Sequence, residues 1–290
     1  PAWDHSPRFA PDGRSLAYLS MRRAGFEADR NRVVLLDWAT KAQHVLTEDW
    51  DRSPGELERR ADGAALYATA GNVGAPSIFR VDAASGEVVT VVDRRTNGSP
   101  KPLADGGLLF AQDRLSSPVE LYLLDAGAAE PRQLTHLNDL RLAGLAFGES
   151  EQFSFTGAHG DTVYGYLIRP VGFDPSRRYP LAFLIHGGPQ GSFDDHWHYR
   201  WNPQIYAAAG YVTVMIDFHG STGYGQAFTD AIRGDWGGAP YEDLMTGLDV
   251  LLERHPFIDP ARMVALGASY GGYMINWIQG QTDRFAALVC

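Results

Sequence analysis

A segment near the end of the sequence places a serine between two glycines, directly after a run of apolar residues. It reads MVALGASYGG over residues 263–272, and a helix-like segment follows from Tyr273. A serine hydroxyl becomes a useful nucleophile only where it stands clear of the backbone, near a base and near N–H donors. A buried strand that turns sharply into a helix supplies this geometry, so the spacing predicts a nucleophile elbow with Ser269 as the nucleophile. Gly267 and Gly271 would let the helix pass close to the turn. A plain Gly/Ser turn between core elements is the alternative.

A second motif could stabilise the negative charge that a serine attack creates. His186-Gly187-Gly188-Pro189 directly follows the apolar run that ends at Ile185. A glycine loop at this place can present a backbone N–H to an oxyanion, and the N–H of the residue after the nucleophile, Tyr270, would be its partner. We therefore expect Gly187, Gly188 and Tyr270 to form the oxyanion hole, against the alternative of a plain glycine turn. His186 precedes the serine, so we expect a structural histidine rather than a base.

The acid and the base of a Ser-His-Asp triad follow the serine in a chain that uses this elbow. Beyond Ser269 the sequence holds one acidic residue, Asp283, and no histidine. Asp283 lies in a polar stretch that is typical of a turn. The sequence begins at Pro1 without a methionine. We therefore expect an internal fragment that lacks the triad acid and base and is inactive by itself.

Length and composition limit the possible partners and cofactors. A chain of 290 residues is expected to form two domains. It has no apolar run of about 18 residues, so we expect no membrane span. A net charge of −10 disfavours nucleic acid and anionic membranes as partners. The single cysteine, Cys290, excludes an internal disulfide, and its apolar surroundings predict a buried side chain. His196 and His198 lack a nearby third ligand, so we expect neither a metal nor a cofactor.

The first half repeats three landmarks with a period near 45 residues. Each unit has a Ser-Pro pair, an Asp-Gly turn, a short strand and a second strand that ends in aspartate. The pairs begin at Ser6, Ser53 and Ser99, the turns lie at 12–13, 62–63 and 105–106, and the second strands end at Asp37, Asp82 and Asp125. Short strands with Asp-Gly turns at this period predict β-propeller blades of four strands each. An accidentally periodic β-sandwich is the alternative.

Residues 1–148 are therefore expected to be the C-terminal blades of a β-propeller, with further blades preceding Pro1, since three blades cannot close the ring. The three strand-end aspartates are expected to form turn or ladder-end hydrogen bonds rather than to catalyse. We expect the indoles of Trp3, Trp38 and Trp50 to pack between blades.

Residues 149–290 change to strands that alternate with helices, which is typical of a parallel sheet. The apolar runs 181–185 and 212–216 predict strands covered on both faces. The clearest helix is Tyr241–Arg254, with a leucine stripe on one side. The fold class is thus an all-β partial propeller followed by the N-terminal part of an α/β-hydrolase, a mostly parallel doubly wound sheet, truncated after the elbow.

Two further glycine motifs lie between these strands. GSTGYG at 220–225 lacks the ending of a P-loop, and we expect a flexible loop beside the active site. RGDWGG at 233–238 offers a charge pair and an indole, for which bracing of the structure and substrate contact both remain open.

Together, HGGP at 186–189, GSTGYG at 220–225, RGDWGG at 233–238 and GASYGG at 267–272 resemble the prolyl oligopeptidase family of serine peptidases. The resemblance covers most of residues 150–290, while the first half is similar in architecture only. HGGPQG at 186–191, followed by Trp201-Asn202-Pro203, is most similar to the branch that holds acylaminoacyl-peptidases and dipeptidyl-peptidase 5.

The resemblance implies a serine exopeptidase whose propeller admits short peptides and excludes folded proteins. It carries Ser269 over as the nucleophile that forms an acyl-enzyme, and Tyr270, Gly187 and Gly188 as oxyanion donors. Dipeptides or acyl-amino acids would be released from peptide N-termini. A carboxylesterase and a non-catalytic propeller scaffold are the alternatives. The localisation stays open: a protein similar to dipeptidyl-peptidase 5 would be periplasmic or secreted, and one similar to acylaminoacyl-peptidases would be cytoplasmic. The oligomeric state stays open as well.

Overall fold

The computed structural model describes residues 2–290, and their contacts divide into two compact units. The first unit holds residues up to 114 together with 118–140 and 223–226. The second unit holds residues 115–117, 141–222 and 227–290. The domain boundary placed at residue 148 from the sequence stays a prediction.

The first unit contains three four-stranded antiparallel sheets, each formed by strands that are consecutive in the chain. This is the blade pattern that the repeat predicts. The strands of the first sheet are β1 Asp4–Phe9, β2 Ser15–Ser20, β3 Arg32–Asp37 and β4 Gln43–Val45; those of the second are β5 Pro54–Arg59, β6 Ala65–Ala70, β7 Ser77–Asp82 and β8 Val88–Val92; those of the third are β9 Thr96–Pro102, β10 Leu108–Arg114, β11 Ser117–Leu124 and β12 Arg132–Gln133.

Two strand-end aspartates make the same local hydrogen bonds in different sheets. Asp37 Oδ1 accepts from the backbone N–H and the hydroxyl of Thr40, at 2.7 Å each. Asp82 Oδ1 accepts from the backbone N–H and the hydroxyl of Ser85, at 2.8 and 2.9 Å. These bonds lower the pKa of both carboxyl groups. The predicted turn role of Asp37 and Asp82 is therefore confirmed, and Asp125 makes the ladder-end bond, accepting from Arg132 Nε of β12 at 2.9 Å.

Apolar side chains from neighbouring sheets form shared cores. One cluster joins Leu19 and Val33 of the first sheet to Leu57 and Leu66 of the second. Another joins residues of the second sheet, such as Ile78, to Phe110 of the third. Because each sheet buries its faces against the next, no blade forms its core alone.

The tryptophan prediction is right for one residue and wrong for two. Trp50 packs edge-on against Phe79 of β7, with ring centroids 4.9 Å apart. Trp3 and Trp38 are 60% and 45% exposed, respectively. Trp38 packs under Lys41, whose Nζ lies 3.6 Å from the indole centroid. Trp38 therefore contacts Lys41 of its own turn and Phe9 of its own sheet rather than a neighbouring blade.

The second unit is built on one six-stranded sheet. Its strands are β13 Ser150–Thr156, β14 Thr162–Ile168, β15 Tyr179–Ile185, β16 Val212–Asp217, β17 Ile258–Gly267 and β18 Ala287–Val289, in the order β13-β14-β16-β15-β17-β18. The pairs β13–β14 and β14–β16 are antiparallel, and β15, β16, β17 and β18 run parallel. The mixed sheet with a parallel centre agrees with the predicted hydrolase part.

Five short helices accompany the strands: α1 Asp139–Leu142, α2 Gln204–Ala208, α3 Gln226–Asp230, α4 Ala239–Arg254 and α5 Tyr270–Gln281. Leu244, Leu248 and Leu251 of α4 are fully buried, as the leucine stripe predicts. Helix α4 begins two residues earlier than predicted, because Asp235 Oδ2 accepts the Ala239 N–H at 2.9 Å.

Two findings concern residues that the composition singles out. Within residues 2–290, no helix is long and apolar enough to cross a membrane. The prediction of a buried Cys290 is wrong, since the residue is exposed. Cys290 directly follows the short strand β18, in which Ala287 and Val289 are exposed as well.

Candidate active site

Ser269 lies between the end of β17 and the start of α5, with its side chain exposed. Its backbone has φ 59° and ψ −122°. A non-glycine residue in this region is strained, and such strain persists only where the surrounding structure imposes it. The chain thus lifts one hydroxyl out of the backbone at a sharp strand-to-helix turn.

The glycines on each side of Ser269 are required by close backbone contacts. A Cβ on Gly267 would lie 2.5 Å from the carbonyl carbon of Gly271. A Cβ on Gly271 would lie 2.2 Å from the carbonyl oxygen of Ile185. Both distances are far below van der Waals contact, so glycine at 267 lets the end of β17 approach the start of α5, and glycine at 271 lets α5 approach β15.

The glycine loop after β15 lies against the serine. A Cβ on Gly187 would lie 3.2 Å from Ser269 Cβ and 3.8 Å from Ser269 Oγ. Gly188 follows with φ 134° and a cis bond to Pro189. The structure therefore brings together Ser269 and the loop that the sequence assigns to oxyanion binding.

Tyr270 is the first residue of α5, so its backbone N–H lacks an acceptor within the helix. Its side chain is 3% exposed, and its hydroxyl donates to the Trp236 carbonyl at 2.7 Å. Burial raises the pKa of this phenol, so the hydroxyl stays protonated and keeps donating. The side chain anchors the helix while the main-chain N–H stays available beside the serine.

A cavity of about 640 Å³ contains Ser269. One side is formed by apolar residues that belong to a core cluster, and the other by the loop after β15. This size is typical of a small-molecule or peptide side-chain pocket. The apolar lining includes Leu184, Phe193, Trp201, Tyr206, Met215 and Leu266.

His186 is buried beside this cavity and bonds through both ring nitrogens. Its Nδ1 lies 2.8 Å from the Gly187 carbonyl oxygen, and its Nε2 lies 2.9 Å from Ser221 Oγ. Burial lowers the pKa of His186, although the charge of Asp217 opposes this shift. A carbonyl can only accept, so the neutral ring donates from Nδ1 and accepts the Ser221 hydroxyl at Nε2. The expectation of a structural histidine is consistent with these bonds.

The segment after this loop is held by a buried carboxylate. Asp217, 3% exposed at the end of β16, accepts from Ser192 Oγ at 2.5 Å and from the Phe193 N–H at 3.0 Å. These bonds fix the backbone that places Phe193 in the cavity wall.

The two remaining glycine motifs brace the site. In GSTGYG, Gly220 and Ser221 are buried, and the Thr222 N–H donates to the Gly191 carbonyl at 2.9 Å. The prediction of a flexible loop is therefore wrong for these residues. In RGDWGG, Asp235 caps α4 and the Trp236 carbonyl holds Tyr270, which favours the bracing interpretation.

A second buried polar group lies elsewhere in this unit. His219 Nδ1 lies 2.6 Å from Asp243 Oδ2, and its Nε2 lies 3.2 Å from Asp161 Oδ2. Asp243 is fully buried and also accepts the N–H groups of Ala158 and His219. Burial disfavours the charged imidazole, but the two carboxylates outweigh it and raise the pKa of His219.

The two histidines of the loop before α2 do not form a ligand cluster. His198 Nδ1 accepts the N–H groups of Arg200 and Trp201, at 3.0 and 2.9 Å. Across residues 2–290, no group of three or more His, Cys, Asp or Glu side chains could hold a metal ion.

Sequence reasoning missed the partners of His186 and Asp217. Ser221 is 35 positions from His186, and Ser192 is 25 positions from Asp217. The only available signal was that GSTGYG, like HGGP, directly follows an apolar strand, since the carboxyl ends of neighbouring parallel strands share one edge.

A mixed sheet that carries a serine at a strand-to-helix turn, next to a glycine loop from the neighbouring strand, defines the α/β-hydrolase class. Comparisons with known proteins agree. A family model described as the prolyl oligopeptidase family matches residues 197–290. Dipeptidyl-peptidase 5 of Schizosaccharomyces pombe is 38% identical over 98% of this chain and 42% of its own length. Probable dipeptidyl-peptidase 5 of Emericella nidulans is 39% identical over 98% of this chain and 41% of its own.

Solved structures show the same relationship. An acylaminoacyl peptidase in complex with Z-Gly-Gly-Phe-chloromethyl ketone matches with a TM-score of 0.83 and 26% identity, over 96% of this chain and 43% of that one. The acylaminoacyl peptidase of Pyrococcus horikoshii, in its orthorhombic crystal form, matches with the same TM-score and identity over 42% of its length. The chain belongs to the prolyl oligopeptidase family, and it spans less than half the length of these relatives.

Proposed function

We propose that the full-length protein is a serine exopeptidase that releases dipeptides or acyl-amino acids from the N-termini of short peptides. The observation that carries the proposal is the position of Ser269, exposed at φ 59° on the elbow, with Gly187 against it and a cavity in front of it. The names of the relatives support the substrate class, since they are dipeptidyl-peptidases and acylaminoacyl peptidases.

In the proposed reaction, Ser269 Oγ attacks the carbonyl carbon of the scissile peptide bond as a base removes its proton. The carbonyl oxygen becomes an oxyanion, which the N–H groups of Tyr270 and Gly188 stabilise, with Gly187 forming the adjacent wall. Collapse of this intermediate expels the amine and leaves an acyl-enzyme on Ser269. Water then releases the N-terminal product.

The base in this proposal is a histidine outside residues 1–290, oriented by an acid that is also outside them. The buried histidines of the second unit have other partners: His186 bonds to Gly187 and Ser221, and His219 bonds to Asp243. The chain order that accompanies this elbow also places the acid and the histidine after the serine.

The test is a substrate panel on the full-length protein: chromogenic dipeptides of the Ala-Xaa and Gly-Phe type, acyl-amino acid amides and p-nitrophenyl esters. We expect hydrolysis of dipeptide or acyl-amino acid amides, and loss of turnover in Ser269→Ala with the fold retained. Turnover of esters alone would indicate a carboxylesterase. No turnover of any substrate and no reaction of Ser269 with a fluorophosphonate would favour a non-catalytic scaffold.

A further inference from the structure

The loop that contacts Ser269 is held by a chain of buried hydrogen bonds that starts on a different strand. Ser221 lies just beyond β16 and is fully buried. Its backbone is fixed twice, because its N–H donates to the Phe218 carbonyl at 2.9 Å and its carbonyl accepts from Thr229 Oγ1 at 3.0 Å. Its hydroxyl is therefore presented to His186 from a fixed position.

His186 connects Ser221 to the glycine loop, because its ring bonds to both. Its ring stacks on Phe218, with centroids 4.2 Å apart and planes 13° apart, so the ring plane is fixed. Because the Gly187 carbonyl can only accept, the proton of the neutral ring lies on Nδ1, which donates to that carbonyl at 2.8 Å, and Nε2 accepts the Ser221 hydroxyl at 2.9 Å. One tautomer satisfies both contacts.

The Gly187 carbonyl belongs to the same peptide unit as the Gly188 N–H. A trans peptide is planar, and its C=O and N–H point in opposite directions. The cis bond in this loop is the next one, between Gly188 and Pro189. Fixing the direction of the Gly187 oxygen therefore fixes the direction of the Gly188 hydrogen.

We propose that His186 and Ser221 are positioning residues for the oxyanion hole: the Ser221 hydroxyl donates to His186 Nε2 and holds the ring, whose Nδ1–H holds the Gly187 carbonyl and thereby aims the Gly188 N–H. The inference rests on the proposed function. Neither side chain transfers a proton to or from the substrate. Their effect is on the transition state, where the oxyanion exists, rather than on substrate binding.

The test compares four variants of the full-length protein on a peptide p-nitroanilide. His186→Leu removes both hydrogen bonds, and we expect kcat to fall about 30- to 100-fold with KM changed less than about threefold, somewhat less than loss of a whole oxyanion donor. His186→Asn retains an N–H donor near the Nδ1 position. We therefore expect its kcat to be at least about three- to fivefold higher than that of His186→Leu. Ser221→Ala removes the donor that holds Nε2 of the ring, with an expected fall of kcat of about five- to tenfold. His255→Asn, a half-buried histidine that packs on Phe257, is the matched control with unchanged kcat.

A readout that a merely structural role would not change is the affinity for a peptidyl boronic acid. Ser269 Oγ adds to its boron, and the resulting tetrahedral anion places an oxygen in the oxyanion hole. We expect its inhibition constant to rise in His186→Leu by about the same factor as kcat falls. The inhibition constant of the matching reduced-amide analogue, in which a CH2 group replaces the scissile carbonyl, should stay within about threefold, because this analogue has no oxygen to occupy the oxyanion hole.

Each outcome has one meaning. Retention of wild-type kcat by both His186→Leu and Ser221→Ala would overturn the positioning role while leaving the peptidase proposal intact. An equal loss of affinity for the boronic acid and for the reduced-amide analogue would also overturn it. Absence of turnover in the wild-type protein, with no labelling of Ser269, would instead refute the proposed function. If His186→Leu does not fold, Ser221→Ala decides, with Ser77→Ala as its control, since Ser77 is also fully buried.

Discussion

The strand-end turns of the blades and the buried polar groups of the hydrolase unit differ in how far apart in the sequence their hydrogen-bond partners lie. In the blades, Asp37 and Asp82 repeat one turn geometry, with partners only three residues away. In the hydrolase unit, His186 and Asp243 bond to residues 35 and 24 positions away, and each contact occurs once. These blade turns thus repeat one local hydrogen-bond pattern, while these buried groups of the hydrolase unit depend on single contacts between distant residues. Substitutions should therefore have small effects at the blade turns and large effects at the buried groups of the hydrolase unit.

The largest effect is expected at the elbow serine. Ser269→Ala in the full-length protein should lower kcat at least about 10⁴-fold, because nucleophile removal eliminates the acyl-enzyme route. Far-UV circular dichroism should be unchanged, since the side chain is exposed. Steady-state kinetics on a dipeptide amide provides the measurement. Activity within tenfold of the wild type would contradict the assignment.

The next effect concerns the buried carboxylate of α4. Asp243→Ala leaves the Ala158 and His219 donors without their acceptor. We expect a loss of about 3–5 kcal/mol in unfolding free energy, as for a broken buried pair. Asp249→Ala is the matched control on the same helix, since it removes an exposed pair with Arg284 that contributes about 0–1 kcal/mol. Chemical denaturation measures both, and equal losses would reject the distinction between the two contacts.

The third prediction concerns the close contact between α5 and β15 at Gly271. Gly271→Ala places a methyl group 2.2 Å from the Ile185 carbonyl oxygen, so β15 and α5 must separate. We expect a destabilisation of about 1–3 kcal/mol together with a fall in kcat. Gly280→Ala lies near the end of the same helix with open space at its Cβ. It should be neutral or stabilising by up to about 1 kcal/mol. A stable, fully active Gly271→Ala protein would show that the close approach is unnecessary.

A smaller, pH-dependent effect is expected at His219. Its pKa is raised in the folded state, so its contribution to stability is fully present below the unfolded pKa of about 6.5. That contribution disappears as the pH rises through the folded pKa. The charged groups that face the ring are Asp243 and Asp161, with His159 edge-on at 5.2 Å.

The measurement is the stability difference between the wild type and His219→Gln at a series of pH values from about 5.5 upward. His186 and His255 have lowered pKa values, so their contributions to stability change with pH in the opposite direction. Both proteins contain these two histidines, so their contributions cancel in the difference. We expect the difference to shrink as the pH rises. A difference that grows with pH would contradict the raised pKa.

The smallest effects are expected in the blades. Asp37→Ala and Asp82→Ala each remove one exposed turn acceptor. Differential scanning calorimetry should show similar decreases of no more than about 4 °C in the unfolding temperature. Unequal decreases, with one variant unfolding far earlier, would show that the two turns are not equivalent.

Sequence patterns predicted what depends on local signals. The Asp-Gly turns and strand-end aspartates gave the three sheets, and the glycines around Ser269 gave the elbow. Contacts between distant segments, such as Ser221 with His186, leave no periodic trace. Exposure was also misjudged where it depends on neighbours, as for Trp3, Trp38 and Cys290. Apolar character favours burial, but only the surrounding structure decides whether something covers the side chain.

The central claim is that the fold presents Ser269 as an activated nucleophile. The most direct measurement is reaction of the full-length protein with a fluorophosphonate, followed by mass spectrometry of its peptides. We predict one covalent adduct on Ser269 that is absent in Ser269→Ala and suppressed by a peptide substrate. An unmodified Ser269, in a protein that still hydrolyses peptides, would contradict the account.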